Sequence, residues 1–386
     1  KTLRKETYRR LRRHWQFRNE LKLFTEIQHT RPFAVHVYGA PSEVHFLQGS
    51  SLYHPATVSR SLDHDGSGPP PGVKDDDGSW DVRPHRERII EVYEPQLASW
   101  AALIDEPSTP PREARMLYPV NKSSAAVLDK IAAAPRIGDI SFEWTSGWHE
   151  NADRKRGLFE TEASAPCSWE EVILQGPHIG VATPLYQQPD ETVGREHLYE
   201  NILLDRIPDD LVPRTNYRVA TSGSQFLEAY PKWFGESSSN YFRLAWRAMA
   251  DPAMMRTLYT AVIPPGPTHV HSLFSLTMRD IADVVVAAAF TSSLVADFLV
   301  KSAGVANIKT NILEKLPHVR NHAMESQLVL RSLRLQCLVR PYSPLWEEMY
   351  DPTWDRDAWV PHAGVEYSDR APLGDVRQKW EWQTPL

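Results

Sequence analysis

The stretch from Asn240 to Pro317 constrains the fold more than any other part of this sequence. It begins NYFRLAWRAMADPAMMRTLYTAVIPPG and ends TSSLVADFLVKSAGVANIKTNILEKLP. The spacing of Tyr241, Arg243 and Arg247 predicts a helix, with Arg256 just beyond it. An apolar strand is predicted from Thr257 to Ile263, stopped by Pro264-Pro265-Gly266. A helix follows, then a break at Ala303 to Ala306 and a short helix ended by Pro317. Arginine spaced four apart on a helix face suits phosphates or a guanine edge. It equally suits an internal fastening, for example to Asp251.

The remaining chain reads as many short elements. Thirty-one prolines and thirteen tryptophans in 386 residues imply numerous loops, with aromatic side chains filling the gaps between elements. Residues 1–24 read as one helix. Tyr8, Leu11 and Trp15 form one stripe, and Phe17, Leu21 and Phe24 form another. Phe33 to Tyr38 alternates like a strand, and Val44 to Leu47 is expected to pair with it as a hairpin. A short helix is expected after Pro55. The Gly-, Pro- and Asp-rich run from His64 to Asp81 has three competing readings. A phosphate nest lacks a following helix, a calcium loop lacks alternating ligands, and a solvent-exposed turn fits best.

A strand is predicted at Arg88 to Tyr93 and a helix at Pro95 to Ile104, with Pro95 in its first turn. Glu106 to Glu113 reads as a linker. Another helix is expected at Ser123 to Ala133 and a strand at Ile140 to Trp144. Glu170 to Leu174 and His178 to Ala182 are possible strands, and Ile207 to Arg214 is a loop. Phe226 to Phe234 is expected to pack, and Met324 to Val339 to be helical. The tail carries Trp346, Trp354, Trp359, Trp380 and Trp382, which should pack on something. The fold class expected is α+β: small mixed sheets flanked by helices in several loop-rich subdomains. Three regions are expected: 1–155, mixed with a basic N-terminal helix; 156–320, around the patterned stretch; and 321–386, helical and aromatic.

Net charge is −6, so no global basic field points to nucleic acid. Residues 1–22, however, hold nine Lys/Arg against two Glu, a local +7 that leaves the rest at −13. From charge alone a solvated helix face is favoured over a phosphate-binding one. Two widely separated cysteines give neither a disulfide framework nor a zinc site and fit a reducing cytoplasm. The longest apolar run, Ile281 to Phe290, is too short to span a bilayer.

No catalytic set is visible. There is no GxSxG elbow, HExxH, Walker A loop or FxGxG-like adenosylmethionine loop. Ser222-Gly223-Ser224 lacks the flanking glycines of an elbow. Ser343-Pro-Leu-Trp346 lacks the second proline of the Asp/Asn/Ser-Pro-Pro-aromatic tetrad that holds a flipped base. Fifteen histidines are scattered. His14, His36, His45, His54 and His64 share a region without metal-ligand spacing. His269 and His271 would point the same way on a strand, which alone is not a metal site.

The 240–317 stretch resembles the target-recognition part of large adenine-specific DNA methyltransferases, the type IIG restriction–modification methylases and related methylases of phage-defence islands. The likeness lies in Tyr241, Arg243, Arg247, Arg256-Thr257 and Pro264, then in Ser293, Asp297-Phe298, Lys301, Asn307 and Leu316-Pro317. FAVHVYG, ILQGPHIGVATPLY, IPDDLVPRTNY and YSPLWEE resemble a subgroup of the same methylases, so the likeness covers most of the chain. One departure is Ala253-Met254-Met255, where the family often has Thr-Asn-Glu. The cofactor loop and the tetrad are also absent. The chain starts at Lys1 and the family pattern continues past Leu386, so it reads as part of something longer.

The resemblance implies a double-stranded DNA-binding role for Arg243, Arg247, Arg256, Lys301, Asn307, Lys309, Arg9, Arg12 and Arg13. It implies no catalytic, metal or cofactor-binding residue in this chain. S-adenosylmethionine is expected on a separate catalytic methyltransferase lobe, and that lobe or other defence-system subunits are the expected partners, with no membrane. The alternative is a protein-interaction scaffold of a defence complex. An independent hydrolase or nuclease has no support beyond scattered His and Asp.

Overall fold

A computed structural model describes residues 2–29, 31–190, 198–249, 254–357 and 376–381. Asp251, Ala253, Trp359 and Trp382 lie outside the described residues. The protein is of the α+β class, with several small mixed sheets flanked by helices. Its residues divide into two compact units, Lys1–Ala134 with Leu299–Gly304, and Pro135–Phe298 with Val305–Leu386. The boundaries expected at 155 and 320 both fall within the second unit.

In the first unit α1 (Thr2–Arg10) runs directly into β1 (Leu11–Arg18). The single helix expected over residues 1–24 is therefore corrected. Beyond Arg10 the chain is extended, and Trp15 and Phe17 turn to one face and pack with Leu52, Val58 and Ile89. β2 (Pro32–Tyr38), β3 (His45–Leu52) and β4 (Ile90–Tyr93) complete a sheet in the order β2-β1-β3-β4. β1 lies between β2 and β3, antiparallel to the first and parallel to the second. The hairpin expected between residues 33–38 and 44–47 does not form, since both strands pair with β1 instead.

Three helices follow the expected positions: α2 (Pro55–Leu62), α3 (Glu94–Ile104) and α4 (Lys122–Ala132). α2 has a proline in its first turn, and His54 Nδ1 caps it by accepting from the Ala56 amide. α4 starts in a capping box between Asn121 and Ser124. The acidic loop before β4 is organised by carboxylates acting on its own backbone. Asp75 accepts from the Asp77 and Ser79 amides, which is turn chemistry. Buried Asp81 accepts from Gly72 and Arg83 and lies 3.3 Å from the buried Arg88 guanidinium.

The second unit begins with β5 (Phe142–Thr145), α5 (Glu150–Lys155), β6 (Phe159–Ser164) and β7 (Ile173–Leu174). β8 (Gln187–Pro189), β9 (Tyr199–Asn201), β10 (Thr215–Val219) and α6 (Gly223–Ala229) follow. Next come β11 (Lys232–Trp233), β12 (Glu236–Ser237), β13 (Arg243–Arg247) and β14 (Thr260–Ile263). β15 (Thr268–His269), β16 (Leu273–Met278), α7 (Ile281–Thr291) and α8 (Leu294–Ala303) lead to α9 (Thr310–Leu313), α10 (Glu325–Gln336) and α11 (Ser343–Met349); from Leu299 on, α8 is part of the first unit. The residues at 178–182, a possible strand from the sequence, form irregular chain after a single 3-10 turn.

The helix expected around Arg243 and Arg247 is corrected. These residues bound β13, an inner strand of the sheet β14-β13-β16-β5, antiparallel to both neighbours. Leu244, Ala245 and Trp246 are buried on both faces of this strand. Residues four apart share a face in a strand as they do in a helix, so the spacing did not discriminate. α7 packs across β14, β13 and β16, and α10 packs on α7. Among the described residues no single helix is long and apolar enough to cross a membrane.

The aromatic residues expected to pack are buried where they are described, except Phe234, which is 41% exposed. Phe226 and Tyr230 join Trp148, Phe159 and Tyr217 in one cluster. Trp346, Trp354 and Trp380 are buried, with their indole N–H groups on Arg377 O, Ser326 Oγ and Cys337 O.

Gly147 is where this unit tolerates no side chain. Its φ is +68°, and a Cβ would lie 2.1 Å from His269 O. Gly157 has a similar φ of +74° but open space around it. Gly157→Ala should therefore cost about 1 kcal/mol, the left-handed backbone penalty alone. Gly147→Ala should cost about 3 kcal/mol or more. Urea denaturation of the two variants measures the difference.

Candidate nucleic-acid interface

The three arginines of the patterned stretch occupy three different environments. Arg243 is fully buried. Its Nε donates to Tyr241 O at 3.3 Å, one terminal nitrogen donates to Pro267 O, and the other has no partner. No carboxylate pairs with it among the described residues. Burial pulls its pKa down, and the Tyr230 phenol beside it opposes that shift. The expected DNA contact at Arg243 is thus corrected: the enclosed guanidinium fastens the core.

Arg247, on the same face of β13, is only half-buried. Its Nε donates to Ile179 O at 2.7 Å. The guanidinium carbon lies 4.2 Å from the Tyr259 ring centre and 5.7 Å from that of Tyr186. One terminal nitrogen has no hydrogen-bond partner. Tyr186 and Tyr259 gave no sign of this role in the sequence, since neither lies at helical or strand spacing from Arg247.

Arg256 is held by α8 and the turn before it. It donates to Ser292 O at 2.7 Å, and its Nε sits 3.5 Å from Asp297 Oδ1 as an ion pair without a hydrogen bond. The same Asp297 oxygen accepts from the amides of Thr257 and Leu258 at 2.6 and 2.7 Å. Arg256-Thr257 and Asp297-Phe298, two parts of the resemblance 40 residues apart, are therefore one clamp. It joins the residues leading into β14 to the first turn of α8.

Asn307 and Lys309 are exposed. Their segment is tied to the end of β13. Ile308 N donates to Ala248 O, Trp246 Nε1 donates to Ile308 O, and Asn307 bridges to Met249. The second unit thus brings Asn307 and Lys309 next to the end of the strand that carries Arg247. Lys301 belongs to the first unit, as do Arg9, Arg12 and Arg13. Arg9 pairs with Glu6 at 3.2 Å. Arg12 donates to Leu11 O and Ala40 O, and Arg13 to Arg12 O. These N-terminal arginines spend donors on their own chain.

No protein-family model and no curated protein matches this chain.

Among the described residues no three or more His, Cys, Asp or Glu side chains gather as a metal site. His269 and His271 do not act as a pair. His269 is buried, with Nε2 2.7 Å from Ser275 Oγ, whereas His271 is exposed and lies beside His149. Ser222 caps α6. Ser343 to Trp346 lies in α11 with Trp346 fully buried, the structural role its sequence context suggested. A cleft of about 560 Å³ lies elsewhere in the second unit, between Glu170 and Glu171 on one side and Arg218 and Leu227 on the other. Arg218 is already paired with Glu160 and Glu162.

Two outcomes follow from these environments. Asp297→Ala strands two buried amides and should cost about 3 kcal/mol, whereas Asp297→Asn keeps an accepting oxygen and should cost about 1 kcal/mol. Asn307→Ala and Lys309→Ala should stay within about 0.5 kcal/mol of the parent in urea denaturation.

A third outcome concerns acid. Burial, and then the Arg243 charge, hold His269 down to about 3 from the ordinary 6.5. Between those values the unfolded chain binds a proton that the folded chain does not. Stability is therefore full above about pH 6.5 and falls as pH drops toward 3, by up to roughly 1.4 kcal/mol per pH unit for this group. His269→Gln should flatten that slope in unfolding measured from pH 7 to 4.

Proposed function

We propose that this chain is the duplex-gripping, target-recognition part of an adenine-specific DNA methyltransferase of the restriction–modification or phage-defence type. It works in the cytoplasm with a catalytic lobe that binds S-adenosylmethionine and holds the flipped adenine. The Asp297 clamp is the observation that supports this most. It makes one built unit of two segments whose order carries the resemblance. Around it, half-buried Arg247 lies against two tyrosines, and Asn307 and Lys309 stay exposed.

In this reading Lys309 supplies charge to a phosphate and Asn307 a bidentate amide to phosphate or base edge. Arg247, half-buried beside them, adds positive charge to this face. Its tyrosine neighbours hold the guanidinium plane and reduce the entropy lost on binding. Arg243 takes no part. Duplex affinity should fall steeply with salt. Lys309→Ala should lower the slope of log K against log salt by about 0.9, and Arg247→Ala should weaken binding without unfolding the chain. Fluorescence anisotropy with a labelled duplex measures both. Methylation of DNA by the isolated chain, or no duplex binding in low salt, would refute the proposal.

A second reading, a protein-docking module, is favoured by exposed apolar side chains near the clamp. Met249 is 77% exposed, Met255 92% and Leu294 72%. It predicts that charge substitution at Leu294 abolishes partner co-purification while duplex binding stays as it was.

A further inference from the structure

His14 and His36 face each other directly across β1 and β2, with ring centres 4.7 Å apart and planes tilted by 40°. His14 is 3% exposed, and neither of its ring nitrogens has a hydrogen-bond partner. The other buried histidines, His85, His178, His269 and His318, each use at least one ring nitrogen in a hydrogen bond. Leaving a buried polar nitrogen unpaired costs on the order of 1–3 kcal/mol. His14 is thus a group in want of a partner, and its ring neighbours are His36 and Tyr118, the latter with its ring centre 5.9 Å away.

His36 is exposed on the edge strand and opens the pair to solvent. Burial, with His36 adding to it, holds His14 down to about 4. The ring is therefore neutral near pH 7 and carries the lone pair that a metal needs. Metal–imidazole bonds of about 2.0–2.1 Å to a shared ion place two ring centres roughly 4.5–5.5 Å apart. The observed separation falls in that range. Imidazole nitrogens favour late first-row divalent ions. Two imidazoles leave positions for water, which distinguishes this arrangement from a closed structural zinc site.

We propose that His14 and His36 form a cross-strand chelate for a divalent zinc or copper ion, pinning the edge strand β2 to β1. A metal bound only by the folded chain stabilises it by mass action. His36 is exposed, so His36→Gln leaves the core intact. His45→Gln, an exposed histidine on the same sheet, controls for general loss of imidazole.

The test is calorimetric titration of the full chain with zinc chloride and, separately, copper(II) sulfate at pH 7.5, with thermal unfolding read in parallel. One equivalent of at least one ion should bind to the parent and to His45→Gln. In His36→Gln that binding should be lost or weakened at least about tenfold, and the metal-induced rise in melting temperature should vanish with it. His14→Gln, if folded by circular dichroism, should behave like His36→Gln. The proposal is overturned if the parent binds neither ion, if His36→Gln binds as the parent does, or if His36→Gln and His45→Gln lose binding equally. The last result would mean diffuse binding to surface histidines, and the second a merely stacked pair.

Discussion

One carboxylate oxygen, Asp297 Oδ1, accepts two backbone amides that would otherwise be buried without partners, and it sits beside Arg256. The lead into β14 and the start of α8 take their relative position from that oxygen. β14 in turn pairs with β13, and α7 lies across both. The side-chain hydroxyls of Thr260 and Thr291 meet at 3.0 Å between β14 and the end of α7. Polar groups in a dry interior are exacting, because each must find its partner or carry the full desolvation cost. A strand and a helix joined this way have little freedom to slide.

Arg243 illustrates the same rule from the other side. A cation enclosed without a carboxylate depends on carbonyl oxygens and on the Tyr230 phenol. Its charge also adds to burial in holding nearby His269 far below its ordinary range. Its neighbour on the same face, Arg247, escapes this enclosure because it ends the strand. There the guanidinium is half-buried and lies against two tyrosine rings. A difference of four residues along one strand separates an enclosed guanidinium from a half-buried one.

Much of the architecture was legible beforehand. α3, α4, α8 and α10 lie where helices are expected from the sequence, and prolines or prospective caps marked several boundaries. β2 was legible from its alternation, and the buried tryptophans at 346, 354 and 380 from their sheer bulk. β1 and β13 were not. In both, the residues that drew attention were spaced so that a helix and a strand place them equally well. The choice was made by packing: Trp15 and Phe17 share one face of a sheet, and Leu244 and Trp246 fill a core closed by strands on either side. The likeness in 240–317 rested on order along the chain, which survives a change of secondary structure. The role of each arginine within it did not survive unchanged.

By itself, the amino-acid sequence determined the α+β class, the loop-rich character, most helix positions and the list of cations and polar groups from which an interface can be made. Those properties follow from local periodicity, turn chemistry and composition. Only the tertiary structure decided which cations are usable. It enclosed Arg243, tied Arg256 to Asp297, tied Arg9, Arg12 and Arg13 to their own chain, and left Lys309 and part of Arg247 accessible. The reason is physical: exposure and hydrogen-bond satisfaction depend on groups distant in sequence, and spacing along the chain carries no record of them.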